Sequence, residues 1–455
     1  MTFMEEVTLE QVLAARETRV REQDRLLTEY RAPVISFTMN IPGPIKDTPL
    51  IRRAFFAGYN ALRTALETAG FPMLGMSETL AATGCELRCA VRADATAVKR
   101  ICVAIEDADE LGRLFDMDVL APDGAKLNRE AVNGGERNCI VCGAKGRGCA
   151  SRRVHSVSEL QAATRRILET HFAASDRHFA AELVTHALLD EVYTTPKPGL
   201  VDRSNNGSHR DMSVETFERS AAALTPYWER CVEIGQMTAN ELPETTFSQL
   251  RTAGLDAENA MFAATGGVNT HKGAIFTLGT VCGALGRLWR AEAPCRDTNA
   301  ILQACAAMTK SAANDVFAAL STRSETAKTA GERLYLEHGL RGIRGEVAEG
   351  LPAVSETALP TFRRALDAGF SRNDAGVYAL LALIARGTDT NMVSRGGIVL
   401  AKAAADEAAL LLRSGFPTMA QIEALDRSFI AQNLSPGGCA DLLAVAYFLD
   451  AWQHA

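Results

Sequence analysis

FAAELVTHALLDEVY, residues 179–193, decides the architecture of the longer part of this chain. Its apolar residues recur at steps of three and four, the spacing that lines one face of an α-helix, and its alanines and leucines favour the helical backbone. The same pattern returns in TFERSAAALTPYWERCVEIGQM (216–237), GAIFTLGTVCGALGRLW (273–289) and TNAILQACAAMTKSAAN (298–314), with glycine-rich or polar turns between them. Strand-like alternation is scarce throughout this region, so a large, nearly all-α C-terminal domain is predicted.

Upstream the pattern changes. LEQVLAARETRVREQDRLLTEY (9–30) reads as an amphipathic helix that stops before the β-branched, proline-punctuated APVISFTMNIPGPIKDTP. A second helix is predicted from Leu50 to Glu67, and ELRCAVRADATAVKRICVAIEDA and LGRLFDMDVL contain strand-like pieces. The N-terminal part is therefore α+β. The bridge SVSELQAATRRILETHFAASDRHF lacks the composition of a flexible linker, and the predicted domains are 1–172 and 173–455. A length of 455 residues agrees with more than one core.

Composition narrows the function. The 47% apolar and 23% charged residues exclude a disordered or collagen-like chain. A net charge of -7 offers no global positive field for nucleic acid or an anionic bilayer, so any anion site must be local. No apolar run approaches the roughly 20 residues needed to span a membrane. The eleven cysteines follow no disulfide framework, and the start, with Glu5, Glu6 and Glu10, does not resemble a secretion signal. A cytoplasmic protein is expected.

Three stretches of the N-terminal part carry chemistry. In FDMDVL, Asp116 and Asp118 stand two apart on a predicted strand, which puts both carboxylates on one face, suited to sharing Mg²⁺. RNCIVCGAKGRGCASRRVH brings Cys139, Cys142, Cys149 and His155 together with Lys145, Arg147, Arg152 and Arg153. Zinc ligation, inert thiols and a phosphate-binding glycine loop all fit that composition. Arg52 and Arg53 follow the constrained Pro33–Pro49 loop at a helix start, where they either meet phosphate or face solvent.

In the C-terminal part, YTTPKPGLVDRSNNGSHRDM holds Lys197 and Asp202 in a proline-fixed loop. LDAENAMFAATGGVNTHKGAIF joins Glu258 to Asn269, His271 and Lys272 at the mouth of a helix, a placement suited to polyphosphate without being a Walker loop. HGLRGIRGEV supplies Arg341, Arg344 and Glu346, and SRNDAGVYALLALIARGTDTN supplies Asp374. Each taken singly also fits a capped turn or a solvated helix face.

Together, PVISFTMNIPGPIKDTPLIRRAF, GRLFDMDVL and RNCIVCGAKGRGCASRRVHSVSEL resemble the citrate lyase holo-acyl-carrier-protein synthase family. PKPGLVDRSNNGSHRDM, GVNTHKGAIF, RGIRGE, NDAGVYALLALIARGTDTN and SPGGCADLLA resemble the triphosphoribosyl-dephospho-coenzyme A synthase family. The first resemblance implies a nucleotidyltransferase-like domain that moves phosphoribosyl-dephospho-coenzyme A onto a serine of the apo-acyl-carrier subunit of citrate lyase, releasing diphosphate. The second implies that ATP and 3'-dephospho-coenzyme A give the triphosphoribosyl precursor and adenine.

On these resemblances Asp116 and Asp118 would be metal and active-site carboxylates, and Arg52, Arg53, Lys145, Arg147, Arg152 and Arg153 would meet phosphates. Lys197, Lys272, Arg341 and Arg344 would hold phosphates in the second part, with Asn269 beside them. Asp202, Glu258, Glu346 and Asp374 would bind Mg²⁺ or activate the hydroxyl, the metal being assigned to Glu346 and Asp374. His271 would assist the departure of adenine. An active precursor synthase fused to a non-catalytic carrier-binding module, or the equivalent malonate decarboxylase pathway, is the alternative.

Overall fold

The computed structural model describes residues 6–322 and 329–455. The chain divides into one unit of Met1–Ala174 with Ala291–Ala293 and a second of Ser175–Arg290 with Pro294–Ala455. The first contains α1 (Leu9–Tyr30), β1 (Val34–Met39), α2 (Pro49–Thr68), β2 (Met73–Ala81), β3 (Gly84–Val91), α3 (Ala95–Asp107), β4 (Phe115–Leu120), β5 (Lys126–Leu127) and the short α4 (Gly146–Arg152). The strands form an antiparallel sheet in the order β2-β3-β1-β4-β5.

Local chemistry starts and stops these elements. Thr8 and Gln11 close a reciprocal capping box at the start of α1, and Arg31 ends that helix in the left-handed conformation. Thr48 caps α2, with Pro49 at the first position, where its missing N–H costs nothing. Alternation then gives the sheet two unlike faces. Phe37, Leu87, Cys89, Met117 and Val119 are buried on one face, where Phe37 stacks on Phe55 of α2 at 5.0 Å. The other face is polar at its centre. Leu26 of α1 packs with Val34 and Ala90 at one end of it.

The second unit is helical. The helix α5 (Val157–Tyr193) runs through the division between the units, so the bridging segment is helix. It is followed by α6 (Val214–Met237), α7 (Pro243–Thr265), α8 (Lys272–Leu288), α9 (Thr298–Thr322), α10 (Ala330–His338) and α11 (Gly342–Ala348). Then come α12 (Leu359–Asp367), α13 (Arg372–Ala385), α14 (Thr390–Leu412), α15 (Met419–Ala431) and α16 (Gly437–His454). α13 and α16 are apolar around most of their circumference and lie in the core. No helix among the described residues is long and apolar enough to cross a membrane.

One close crossing sets the position of α8. Gly235 of α6 and Gly286 of α8 meet so closely that a Cβ on either would collide with the backbone of the other helix. Gly235→Ala is expected to lower stability by about 1–3 kcal/mol, the usual cost of overpacking. All three tryptophans belong to the second unit, so urea unfolding followed by their fluorescence reads this unit alone. An unshifted midpoint would refute the tight crossing.

Candidate active sites

In the first unit the paired strands build a polar band across the sheet. Asp116 and Asp118 of β4 stand opposite Thr38 and Ser36 of β1, which stand opposite Glu86 and Arg88 of β3. Directly opposed residues share a face, so all six side chains rise on the same side. Glu86 and Arg88 are only 5% and 1% exposed, and Arg88 donates to Glu86 Oε2 at 2.7 Å and to Thr79 Oγ1 at 2.6 Å. Arg19 of α1 completes the compensation of Glu86. Lys126 Nζ reaches Asp118 Oδ2 at 2.6 Å.

Asp116 stands apart from this compensation. Its carboxylate accepts no hydrogen bond from another described residue, and the residue is exposed. Loss of hydration raises its pKa, the neighbouring charge of Asp118 raises it further, and Lys126, Arg137 and Lys99 oppose the rise. Two carboxylates on one face, one of them unpartnered, suit a hard divalent cation.

A cavity of about 790 Å³ in this unit is lined by Asn40, Arg113, Arg129, Arg137 and Arg153. It reaches the start of β4, because Arg137 donates to the Phe115 carbonyl at 2.7 Å and Asn40 donates to that of Leu114 at 2.7 Å. Arg113, Arg129 and Arg137 are absent from the sequence-based assignments. Their signal was weak: they are scattered arginines, not a run. Of the expected phosphate ligands Arg153 lines the cavity, while Lys145 and Arg152 are exposed on the same segment. Arg147 belongs to α4, and its side chain lies outside the described residues. Arg52 is held by Asp47 in a two-point ion pair, and Arg53 lies over the Phe172 ring at 4.0 Å and donates to the Ala291 carbonyl. Neither lines the cavity.

In the second unit the polar residues gather at helix ends. Lys197 is 2% exposed and pairs with the buried Glu191 at 2.5 Å. Asp202 takes the Ser204 and Asn205 amides on Oδ1 and the Lys197 amide on Oδ2. Its oxygens are thus committed to shaping the loop, and this occupancy does not fit a general base. His271, 3% exposed, shares a hydrogen bond of 2.7 Å with Ser220 through Nδ1, while Nε2 has no partner. Burial first and Lys197 second pull its pKa down to about 3. At neutral pH it is a neutral imidazole, so proton donation as imidazolium does not fit these surroundings.

Lys272, at the first position of α8, reaches Glu258 of α7 at 2.6 Å, and Asn269 is exposed just ahead of it. Beneath this helix start lies Asp441 of α16. A Cβ on Gly273 would collide with the Asp441 carboxylate, which also accepts from the Ala274 amide. Burial drives the Asp441 pKa well up, and the charges of Glu191 and Asp389 add to the rise. Asp389 caps α14 through the Asn391 and Met392 amides and accepts the Cys439 amide of α16 at 2.8 Å. Burial raises Asp389 as well.

Glu346 and Asp389 line a cavity of about 250 Å³ with Arg341, Arg386, Thr390 and Gly438. Arg344, three residues from Arg341, instead lines a separate cavity of about 490 Å³ with Arg251 and Glu258. The short helix α11 therefore supplies both. Arg341 is engaged by Glu349 and by the Phe317 ring. Asp374 sits in the first turn of α13, bonded by Asn373, and no hydrogen bond or cavity joins it to Glu346 among the described residues. Sequence reasoning missed Glu191 and Asp441. A lone acid inside an apolar helix, and an acid one turn after SPGG, were the available signals.

Each unit carries a cavity lined by arginines and acids, and the family matches make the two units transferases. Residues 7–171 match the family described as apo-citrate lyase phosphoribosyl-dephospho-CoA transferase, and residues 177–455 match ATP:dephospho-CoA triphosphoribosyl transferase. Protein CitXG of Haemophilus influenzae is 34% identical, covering 97% of this chain and 96% of its own length. Protein CitXG of Leuconostoc mesenteroides subsp. cremoris is 33% identical, with coverages of 98% and 97%. The 2-(5''-triphosphoribosyl)-3'-dephosphocoenzyme-A synthase of Pectobacterium atrosepticum is 45% identical over 58% of this chain and 86% of its own. The chain belongs to the CitXG family, with both transferase domains on one polypeptide.

Lys197→Met strands Glu191 as a buried lone charge and is expected to cost about 3–5 kcal/mol. Glu191→Gln with Lys197→Met should restore most of that stability. Equal midpoints for the single and double variants in urea unfolding would show that the two groups are not coupled.

Proposed function

We propose that this chain makes the prosthetic-group precursor of citrate lyase in its second unit and attaches it to the apo-acyl-carrier subunit with its first. The observation that carries the proposal is the match of each unit to one of two consecutive transferases, in full-length relatives of the same organisation. The uncompensated acids of each unit support it.

In the second unit a ribose hydroxyl of 3'-dephospho-coenzyme A attacks the anomeric carbon of ATP. A C–O bond forms, the C–N bond breaks, and adenine leaves with its electron pair. The acids Asp441, Asp389 and Glu346 oppose the positive charge that grows on the sugar, and one of them accepts the hydroxyl proton. Arg344, and Lys272 paired to the Glu258 that lines the same cavity as Arg344, meet phosphate oxygens. Lys197 and Asp202 position the loop between α5 and α6. His271 offers a neutral hydrogen bond. Glu346 and Asp389 have the oxygen chemistry to hold Mg²⁺, which supplies neutralisation of the triphosphate when bound; Asp374 stands outside that pair.

In the first unit a serine hydroxyl of the carrier attacks the phosphorus next to the ribose. Its O–P bond forms as the bond to diphosphate breaks, and the serine proton passes to Asp116 or Asp118. The same two residues would hold Mg²⁺, which supplies charge neutralisation of the diphosphate. Arg113 and Arg153 receive the phosphates in the 790 Å³ cavity, beside Arg129 and Arg137, which Glu106 and Asp107 hold in the same wall. Paired carboxylates on an antiparallel sheet are also what supports a nucleotidyltransferase-like domain here. A cytoplasmic setting accords with soluble substrates.

Incubation with ATP, Mg²⁺, dephospho-coenzyme A and apo-carrier should release adenine and diphosphate and add the prosthetic group to the carrier's mass. Asp116→Asn with Asp118→Asn should abolish the mass increase and leave adenine release intact, whereas Asp441→Asn or Glu346→Gln should stop adenine release and with it the mass increase, which should return when purified triphosphoribosyl precursor is supplied. Adenine release with an unmodified carrier in the unaltered protein would reduce the first unit to carrier recruitment. Loss of neither product in these variants would overturn the residue assignments.

The pH profile gives a further check. Asp116 must be ionised to accept a proton, and its pKa is raised, so transfer should be full above that pKa and decline as pH falls through it. The acidic limb should lie above the ordinary aspartate range. Lys126→Met removes a charge that lowers this pKa and should move the limb to higher pH; a shift to lower pH would contradict the assignment.

A further inference from the structure

The segment between β5 and α5 has little to hold it in shape. Among its described residues the regular structure is a single 3-10 turn at Arg129–Val132, one bridge, Asn138 to Lys145, and the seven-residue α4. Every described side chain of the segment is exposed or half-buried. Yet four side chains from it converge. The Sγ atoms of Cys139, Cys142 and Cys149 and a ring nitrogen of His155 all lie within 4.8 Å of one another. Cys142 and Cys149 are 3.5 Å apart at sulfur, and His155 Nε2 is 3.3 Å from the Cys142 sulfur.

We propose that Cys139, Cys142, Cys149 and His155 bind one structural Zn²⁺. Zinc bonds of about 2.3 Å to sulfur and 2.0–2.1 Å to nitrogen, set tetrahedrally, place sulfurs about 3.8 Å apart and sulfur and nitrogen about 3.5 Å apart. The observed separations lie close to both. Three sulfurs and one imidazole form a closed set with no position left for substrate, which makes the site structural.

The backbone is arranged for a metal knuckle. The Val141 amide points at Cys139 Sγ from 3.5 Å, two residues on, the contact that helps a thiolate carry its charge. The Cys139 carbonyl accepts the Gly143 amide at 3.0 Å, and Gly143 has a φ of +73°, which folds the C-x-x-C turn back on itself. Cys149 comes from α4, and His155 follows on the far side of Arg152 and Arg153. Each thiol gives up its proton on binding, leaving the site with one net negative charge. Zinc would thus tie both ends of a coreless segment together.

Position gives the site its purpose. Cys139, Cys149 and His155 line the same 790 Å³ cavity as Arg137 and Arg153. Fixing the knuckle fixes the wall from which those two arginines project. This consequence is geometric and does not depend on which substrate the cavity takes.

Metal analysis of the full chain, purified without chelators and with zinc in the medium, should find about one zinc per chain. Cys142→Ser and Cys149→Ser should each lose it, and Cys295→Ser, outside the cluster, should keep it. Cobalt exchanged into the stripped protein should give a thiolate charge-transfer band and intense tetrahedral ligand-field bands. Stripping should expose Lys145, Arg152 and Arg153 to trypsin, and zinc should restore protection. A zinc-free chain that takes up neither zinc nor cobalt when reduced would overturn the proposal. So would retention of zinc in both cysteine variants, or a count of nine free thiols instead of the eleven the sequence holds, which would mean a disulfide in the cluster's place.

Discussion

Each unit contains a carboxylate crowded by other acids and not matched by positive charge. A carboxylate inside a protein must be paired, bonded by amides, protonated or shared with a cation. Glu86 and Glu191 take the first solution, with Arg88 and Lys197 beside them. Asp202 takes the second. Asp116 and Asp441 take neither fully, and each has other acids raising it. Charge left unbalanced in this way is free to meet a cation or a proton, as the charge of a completed ion pair is not.

The scaffold around those acids explains why they persist. Glycines at the α6–α8 crossing let the backbones approach, and α8 then begins directly over Asp441, where Gly273 leaves no side chain in the way. A helix start carries unpaired amides and partial positive charge, which eases but does not cancel the cost of an acid below it. In the first unit the equivalent device is strand register. A slip of one residue would turn Asp116 and Asp118 into the apolar face and bring Met117 out, so the burial of Phe37, Met117 and Val119 enforces the polar band.

Much of the fold was readable because it rests on periodicity. The α+β start and the helical remainder follow from spacing that burial dictates, and the structure has both. The D-x-D pair was readable for the same reason, since alternation fixes a common face. The rest of each site depends on contacts that periodicity does not encode. Glu191 is joined to Lys197 across a helix end, and Asp441 to Gly273 across more than a hundred and sixty residues. Arg113, Arg129 and Arg137 converge only once β4 and the segment after β5 are in place. Lys197 illustrates the opposite error: its loop marks it as a phosphate ligand, but only the tertiary structure shows that Glu191 already holds it.

The two steps also explain why a chain with net charge -7 needs no basic surface. The intermediate that passes from the second reaction to the first carries a triphosphate together with the phosphates of dephospho-coenzyme A. A globally positive surface would attract every nucleotide and nucleic acid with comparable strength, and salt would weaken it. Arginines confined to a cavity act where water is displaced, and their planar forks select phosphate by geometry as well as charge. Placing both steps on one polypeptide raises the concentration of the intermediate near the transferase unit. Mild acidity then becomes an advantage: it keeps the surface from competing with two small sites for a polyanion that must bind, react and move on.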